Sequence, residues 1–247
     1  YSTLNLKSNP LLRKSMQSTA YSAEPMTKAG TWSKVFTLLL LVTAAAGTTW
    51  LVVPTIGEGL LFPLMIGSLI LGFIFALLIT FKPNTAPVVA PLYGIVEGVF
   101  VGSISYFFEA MVPGIVGRAV MTTFVVAFAM WFVYTTGLVK VTQKFRAGVM
   151  AAMFTVMLLY LVQLVMSLFG SGLAFMTGSS PLAIGVQFVI VIVASLALVL
   201  DFDFIARQVE ERAPKQLEWV AAFGLIVTLV WLYIELLDLL YRLAMRE

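Results

Sequence analysis

An all-α membrane protein, a bundle of seven transmembrane helices, is what this sequence predicts. The 247-residue chain is 61% hydrophobic and only 11% charged, with a mean hydropathy of +1.02, a composition outside the range of ordinary soluble domains. Its apolar stretches run for about 20 residues, the length a helix needs to cross the hydrocarbon core, whereas barrel strands would alternate over about ten. The few charges fall mostly between those stretches.

Lys34 and Glu58 enclose the first span, with Val35 to Val53 as its core, and the second runs from Leu60 to Phe81. Pro54 and Gly57 are expected to make the turn between them. The third span covers about Pro87 to Phe108 and the fourth about Val116 to Val139. The uncharged region from Ala147 to Leu200 is too long for one helix, and Gly170-Ser171-Gly172 with Gly178-Ser179-Ser180-Pro181 divides it into spans five and six. The seventh lies between about Leu217 and Leu240. Residues 1–30, rich in Ser, Thr and Lys, read as a flexible cytoplasmic tail ahead of a transmembrane domain over 31–247. That polar stretch and the lack of a small-residue cleavage pattern argue against a cleaved signal peptide.

Lysine and arginine are shared unequally between the two faces. Lys7, Arg13, Lys14, Lys28, Lys34, Lys82, Lys140, Lys144, Arg146, Arg207, Arg212 and Lys215 fall on the amino-terminal side, and Arg118, Arg242 and Arg246 on the other. The positive-inside rule then makes the amino terminus cytoplasmic and the carboxyl terminus extracytoplasmic. The net charge of +3 and pI near 9.2 thus mark membrane sidedness, and no nucleic-acid partner is expected.

The chain has no cysteine and no histidine, which removes disulfides, thiolate nucleophiles, Ser-His-Asp triads and His- or Cys-ligated zinc or haem. No base lies deep in any span, so a retinal Schiff base, an arginine voltage sensor and an anion pathway are disfavoured as well. The polar groups inside the spans are hydroxyls and amides (Thr122, Thr123, Gln163, Gln187, Ser195) and acids. A cation is the natural guest of such a bundle. No cofactor and no enzymatic activity are expected, since an intramembrane aspartyl hydrolase needs two facing acids and a motif for its substrate.

Carboxylates in a bilayer cost a few kcal/mol each (about 2.5–3.5 on insertion scales) and face a bundle interior with a partner. Asp203 has Arg207 at i+4 and Asp238 has Arg242 at i+4, so each reads either as an ordinary helical ion pair or as a functional acid. Glu235 has no base within a turn, and the face leading to it reads Gly224, Thr228, Trp231, a stripe suited to another helix. Asp201 closes span six beside Asp203. Glu97 borders the stripe Gly94, Gly98, Gly102, and reads either as a hydrogen-bonded interface residue or as a functional acid. With span seven starting at Leu217, Glu235 lies 18 residues, or about 27 Å, along the helix.

Leu200-Asp201-Phe202-Asp203, the cytoplasmic loop, Glu218-Trp219, and Trp231-Leu232-Tyr233-Ile234-Glu235-Leu236-Leu237 resemble the Bax inhibitor-1 / YccA family of transmembrane proteins. Lys82-Pro83-Asn84 and Tyr93 to Gly102 extend the likeness over most of residues 30–245, closest to a bacterial branch. The resemblance implies seven helices with the last enclosed, residence in a bacterial cell membrane, and a pH-sensitive calcium leak. It implies further that Asp201 and Glu235 form the proton sensor and a calcium-binding pair, a shared proton closing the pore. Asp203, Asp238 and Glu97 are secondary candidates. Two other readings stand beside it: a proton-coupled transporter of a cation or small solute, and a non-conducting protein whose glycine-striped helices bind other membrane proteins. The partners implied are the lipid bilayer, calcium and protons, with protein partners open.

Overall fold

The computed structural model describes residues 24–173, 176 and 178–246, so most of the expected tail lies outside the described residues. Seven helices are long and apolar enough to cross a membrane: α1 Lys28–Ile56, α2 Leu61–Phe81, α3 Ala86–Met111, α4 Ile115–Thr135, α5 Gln143–Leu168, α6 Pro181–Glu210 and α7 Leu217–Ala244. Side-chain hydroxyls start three of them. Thr27, Thr142 and Ser180 accept hydrogen bonds from the third amide beyond, those of Gly30, Phe145 and Ala183, satisfying orphan donors of the first turn.

The ends differ from expectation in three places, each for a local reason. Pro54 lies inside the last turn of α1, and it is Gly57, at φ +93°, that ends the helix. Helix α4 stops at Thr135, four residues before Val139, because Gly137 turns the chain at φ +72°. Helix α6 runs ten residues past Leu200 and so carries Asp201 and Asp203 within its helical body.

Helix α7 occupies the centre. It packs against α1, α3, α4 and α6, while α2 lies outside on α3 and α5 outside on α6. Leu225, Ile226, Leu232 and Leu237 are among the most deeply buried side chains in the molecule, and Ala221, Ala222 and Thr228 let neighbours come close. A helix apolar on nearly all faces belongs in the core. Peripheral α2 and α5 instead turn Phe73, Phe81, Phe154 and Leu168 outward, where lipid replaces water.

The glycines of α3 seat α1. A Cβ at Gly98 would lie 2.5 Å from the Val42 carbonyl oxygen, and one at Gly102 2.6 Å from that of Ala46. Only hydrogen fits there, and the close approach gains dispersion contacts along the whole interface.

At the amino-terminal face, residues 24–27 run antiparallel to the α6–α7 connection. Met26 N–H donates to the Ala213 carbonyl at 2.7 Å, Lys215 N–H to that of Glu24 at 3.0 Å, and Pro25 bridges Pro214. Glu218, in the first turn of α7 and fully buried, accepts from the Thr27 amide at 2.9 Å and hydroxyl at 3.1 Å and pairs with Lys34. A side chain at Gly30 would run into its carboxylate. This strap ties the start of α1 to the start of α7.

Candidate functional site

The five candidate acids fall into two groups, bound by cations or not. Asp203 accepts from Arg207 Nε at 2.9 Å on its own helix and from Arg146 Nη2 at 2.6 Å on α5. Asp238 accepts from Arg242 Nε at 2.8 Å, and the same guanidinium donates to the carbonyls of Gly178 at 2.9 Å and Met176 at 2.8 Å, pinning the α5–α6 loop to the end of α7. Both acids are held in ion pairs.

Glu97 lies on α3 beside the glycine stripe but faces the opposite neighbour. Its Oε2 would be 3.2 Å from a Cβ at Gly72 of α2, and Tyr93 stands one turn earlier on the same helix. Tyr93 in turn stacks edge-on against Phe223 of α7, ring centroids 4.8 Å apart. Glu97 is thus an interface acid between α2 and α3, away from α6.

Glu235 is 4% exposed and held by three neutral donors. Its Oε1 accepts from Tyr160 Oη of α5 at 2.6 Å and from Trp231 Nε1, one turn back on α7, at 2.7 Å. Its Oε2 accepts from Gln187 Nε2 of α6 at 2.7 Å, and that amide also donates to the Glu235 carbonyl at 3.0 Å. The indole and amide nitrogens can only donate; the tyrosine hydroxyl alone can also accept. A protonated Glu235 therefore carries its hydrogen on Oε1 and donates a hydrogen bond to Tyr160 Oη.

Asp201 faces α7 at Gly224, where a Cβ would stand 3.9 Å from Oδ1. Thr228 stands beside it, its hydroxyl donating to the Gly224 carbonyl at 3.2 Å. Among the described residues, Oδ2 of Asp201 is buried without a hydrogen-bond partner. Buried polar atoms are rarely left so.

Asp201 and Glu235 do not meet. Thr228, opposite Asp201, precedes Glu235 by seven residues, about 10 Å of α7, and Gln187, opposite Glu235, precedes Asp201 by fourteen, about 21 Å of α6. The connection over 211–216 is short, so the antiparallel helices pair residues equidistant from it, and Glu235 lies too deep to reach Asp201. The shared-proton pair and the joint calcium clamp implied by resemblance are corrected by this register. Each acid lies nine residues, about 14 Å, from the carboxyl end of its own helix, and those ends are on opposite faces. Among the described residues, no three acidic side chains converge as a metal site.

The family model described as Bax inhibitor 1 like matches residues 9–245. The chain belongs to that family. No curated protein and no solved structure matches it. The family is not one of enzymes. Three residues of the family member's interior escaped the sequence reading of the site. Tyr160 and Gln187 reach Glu235 from other helices, and Glu218 is buried by a strap. Gln187 carried a visible signal, an amide in an otherwise apolar span; Tyr160 and the buried state of Glu218 carried none, since both depend on packing between distant segments.

Proposed function

We propose that the protein passes cations, calcium among them, across a bacterial cell membrane, with protons competing for the acids that line the route. The observation that carries this reading is Glu235, enclosed by α5, α6 and α7 with neutral donors and no base. An acid kept from water needs either a counter-charge or a proton. A passing cation supplies the first, and low pH the second. Asp201, with one oxygen unsatisfied, is a second such station nearer the amino-terminal face. The two act in series and not as a pair. The amino terminus faces the cytoplasm in this reading, following the bias of lysine and arginine.

Calcium uptake into proteoliposomes tests it. For wild type, flux rises from pH 6 to pH 8 as the acids lose protons, and Asp201→Asn and Glu235→Gln each flatten that rise. Titration curves identical to wild type in both variants discard the proposal. The separation of the acids favours a second reading, a carrier exchanging protons for a cation, because two stations at different depths suit a relay. Saturable uptake driven by an opposing proton gradient distinguishes it from a leak.

A further inference from the structure

Helices α1 and α4 both pack on α7 yet make little contact with each other. The gap between them is an apolar groove of about 290 Å³. Its floor is α7 at Ile226 and Val230, with Ser105 of α3 beside Tyr233. Its rims are Thr43 and Gly47 of α1 and Val120 and Phe124 of α4, all exposed. In a membrane-spanning bundle such outward residues face acyl chains, so the groove is a recess continuous with the lipid-facing surface and open to it from the side.

Along α1 the groove runs from Leu39 to Trp50, eleven residues or about 16 Å, close to half the hydrocarbon thickness of about 30 Å. Trp50 lies six residues, about 9 Å, from the carboxyl end of α1. It meets Tyr106 edge-on, ring centroids 5.9 Å apart, an aromatic pair of the kind that marks a membrane interface. The groove therefore covers the depth of one leaflet, the one opposite Lys28. Its hydroxyls are satisfied within the protein. Thr43 donates to the Leu39 carbonyl at 2.9 Å, Thr123 to that of Ala119 at 2.7 Å, and Ser105 and Tyr233 bond to each other at 2.6 Å. Among the described residues, no charged side chain lines it. Water gains too few partners in such a space, and an empty groove forfeits dispersion contact along both walls. Hydrocarbon fits it, and nothing in its lining recognises a charged headgroup.

We propose that the groove between α1 and α4 is a binding site for one acyl chain of a phospholipid in the leaflet opposite Lys28, selected by its chain and not by its headgroup. The chain enters beside Trp50, runs over Ile226 and Val230 of the central helix, and ends near Leu39. The inference stands on the groove alone and is independent of cation transport.

Gly47 supplies the probe, because a Cβ there meets nothing within 4 Å and a large side chain enters the groove without moving the helix. Gly67 of α2 is equally open but lies away from the groove. Native mass spectrometry of delipidated protein in detergent, titrated with dioleoyl phosphatidylcholine, dioleoyl phosphatidylglycerol and dihexanoyl phosphatidylcholine, tests the proposal. The expected result is one tight lipid with either dioleoyl headgroup, none with the short-chain lipid, and loss of the tight lipid in Gly47→Phe but not in Gly67→Phe. Melting without lipid shows that the variants are folded, and Val120→Trp, filling the groove from the opposite rim, repeats the test should Gly47→Phe fail to fold. Dioleoyl lipids held by the folded groove-filling variant as tightly as by wild type overturn the proposal. So does binding that follows the headgroup whatever the chain, and so does a wild-type dimer that Gly47→Phe splits, which makes a second copy of this chain the occupant.

Discussion

Of the three donors around Glu235, two fix the acid and one can follow its proton. Losing Gln187 strands Oε2, a buried acceptor, while the Glu235 carbonyl keeps its place in the α7 ladder. Gln187→Leu should therefore cost about 1–3 kcal/mol, the penalty of one unsatisfied buried group, seen as a lower melting temperature in detergent. Tyr160→Phe leaves Oε1 its bond from Trp231, so the loss in stability is smaller, about 1 kcal/mol. Its larger effect is on the pH dependence of flux, because the one group able to accept a hydrogen bond from the protonated acid is gone. The strap offers a similar contrast. Lys34→Met leaves Glu218, fully buried, without its cation and should cost about 3 kcal/mol. Glu218→Gln keeps an acceptor for Thr27 and leaves Lys34 a path to water, so it should cost less. Equal melting temperatures for these two variants would show that the pair is not buried in the way described.

Helix packing is where the glycines of α3 act. Gly98→Ala puts a methyl group onto the Val42 carbonyl and forces α1 away from α3, an overpacking cost of about 1–3 kcal/mol. Gly117→Ala, on α4 with open space around its Cβ, should be neutral or slightly stabilising, and thermal unfolding of the two variants side by side checks the difference. Such contacts show which parts of the structure the sequence makes legible. The stripe at Gly94, Gly98 and Gly102 announces a close helix partner by its spacing alone, and the spans announce themselves by length. The i,i+4 arginines of Asp203 and Asp238 were equally readable, since they lie on one helix. Which helix fills the stripe, and which residues of α6 oppose Glu235, depend on the length of the 211–216 connection and on tilt. Hydropathy carries neither, so the pairing of Asp201 with Glu235 could be taken from resemblance while the register held them apart.

Across the whole molecule, the two isolated acids lie toward opposite faces, and this gives the proton response a side. The faces themselves can be assigned because the chain has no cysteine. Ser171→Cys, exposed in the α5–α6 loop, should react with an impermeant maleimide added to intact cells, and Glu211→Cys, exposed beyond α6, only after permeabilisation. The reverse pattern would invert the orientation drawn from lysine and arginine. In vesicles of known orientation, acid on the Lys28 side reaches Asp201 first, since about 14 Å of α6 separates it from that end, while Glu235 stands the same distance from the far end of α7. Acidifying the Lys28 side alone should therefore slow calcium flux in wild type and in Glu235→Gln but not in Asp201→Asn. Acidifying the opposite side should slow it in Asp201→Asn but not in Glu235→Gln. A single shared proton site would make both variants lose the response from both sides together, an outcome incompatible with acids separated by two turns of α7.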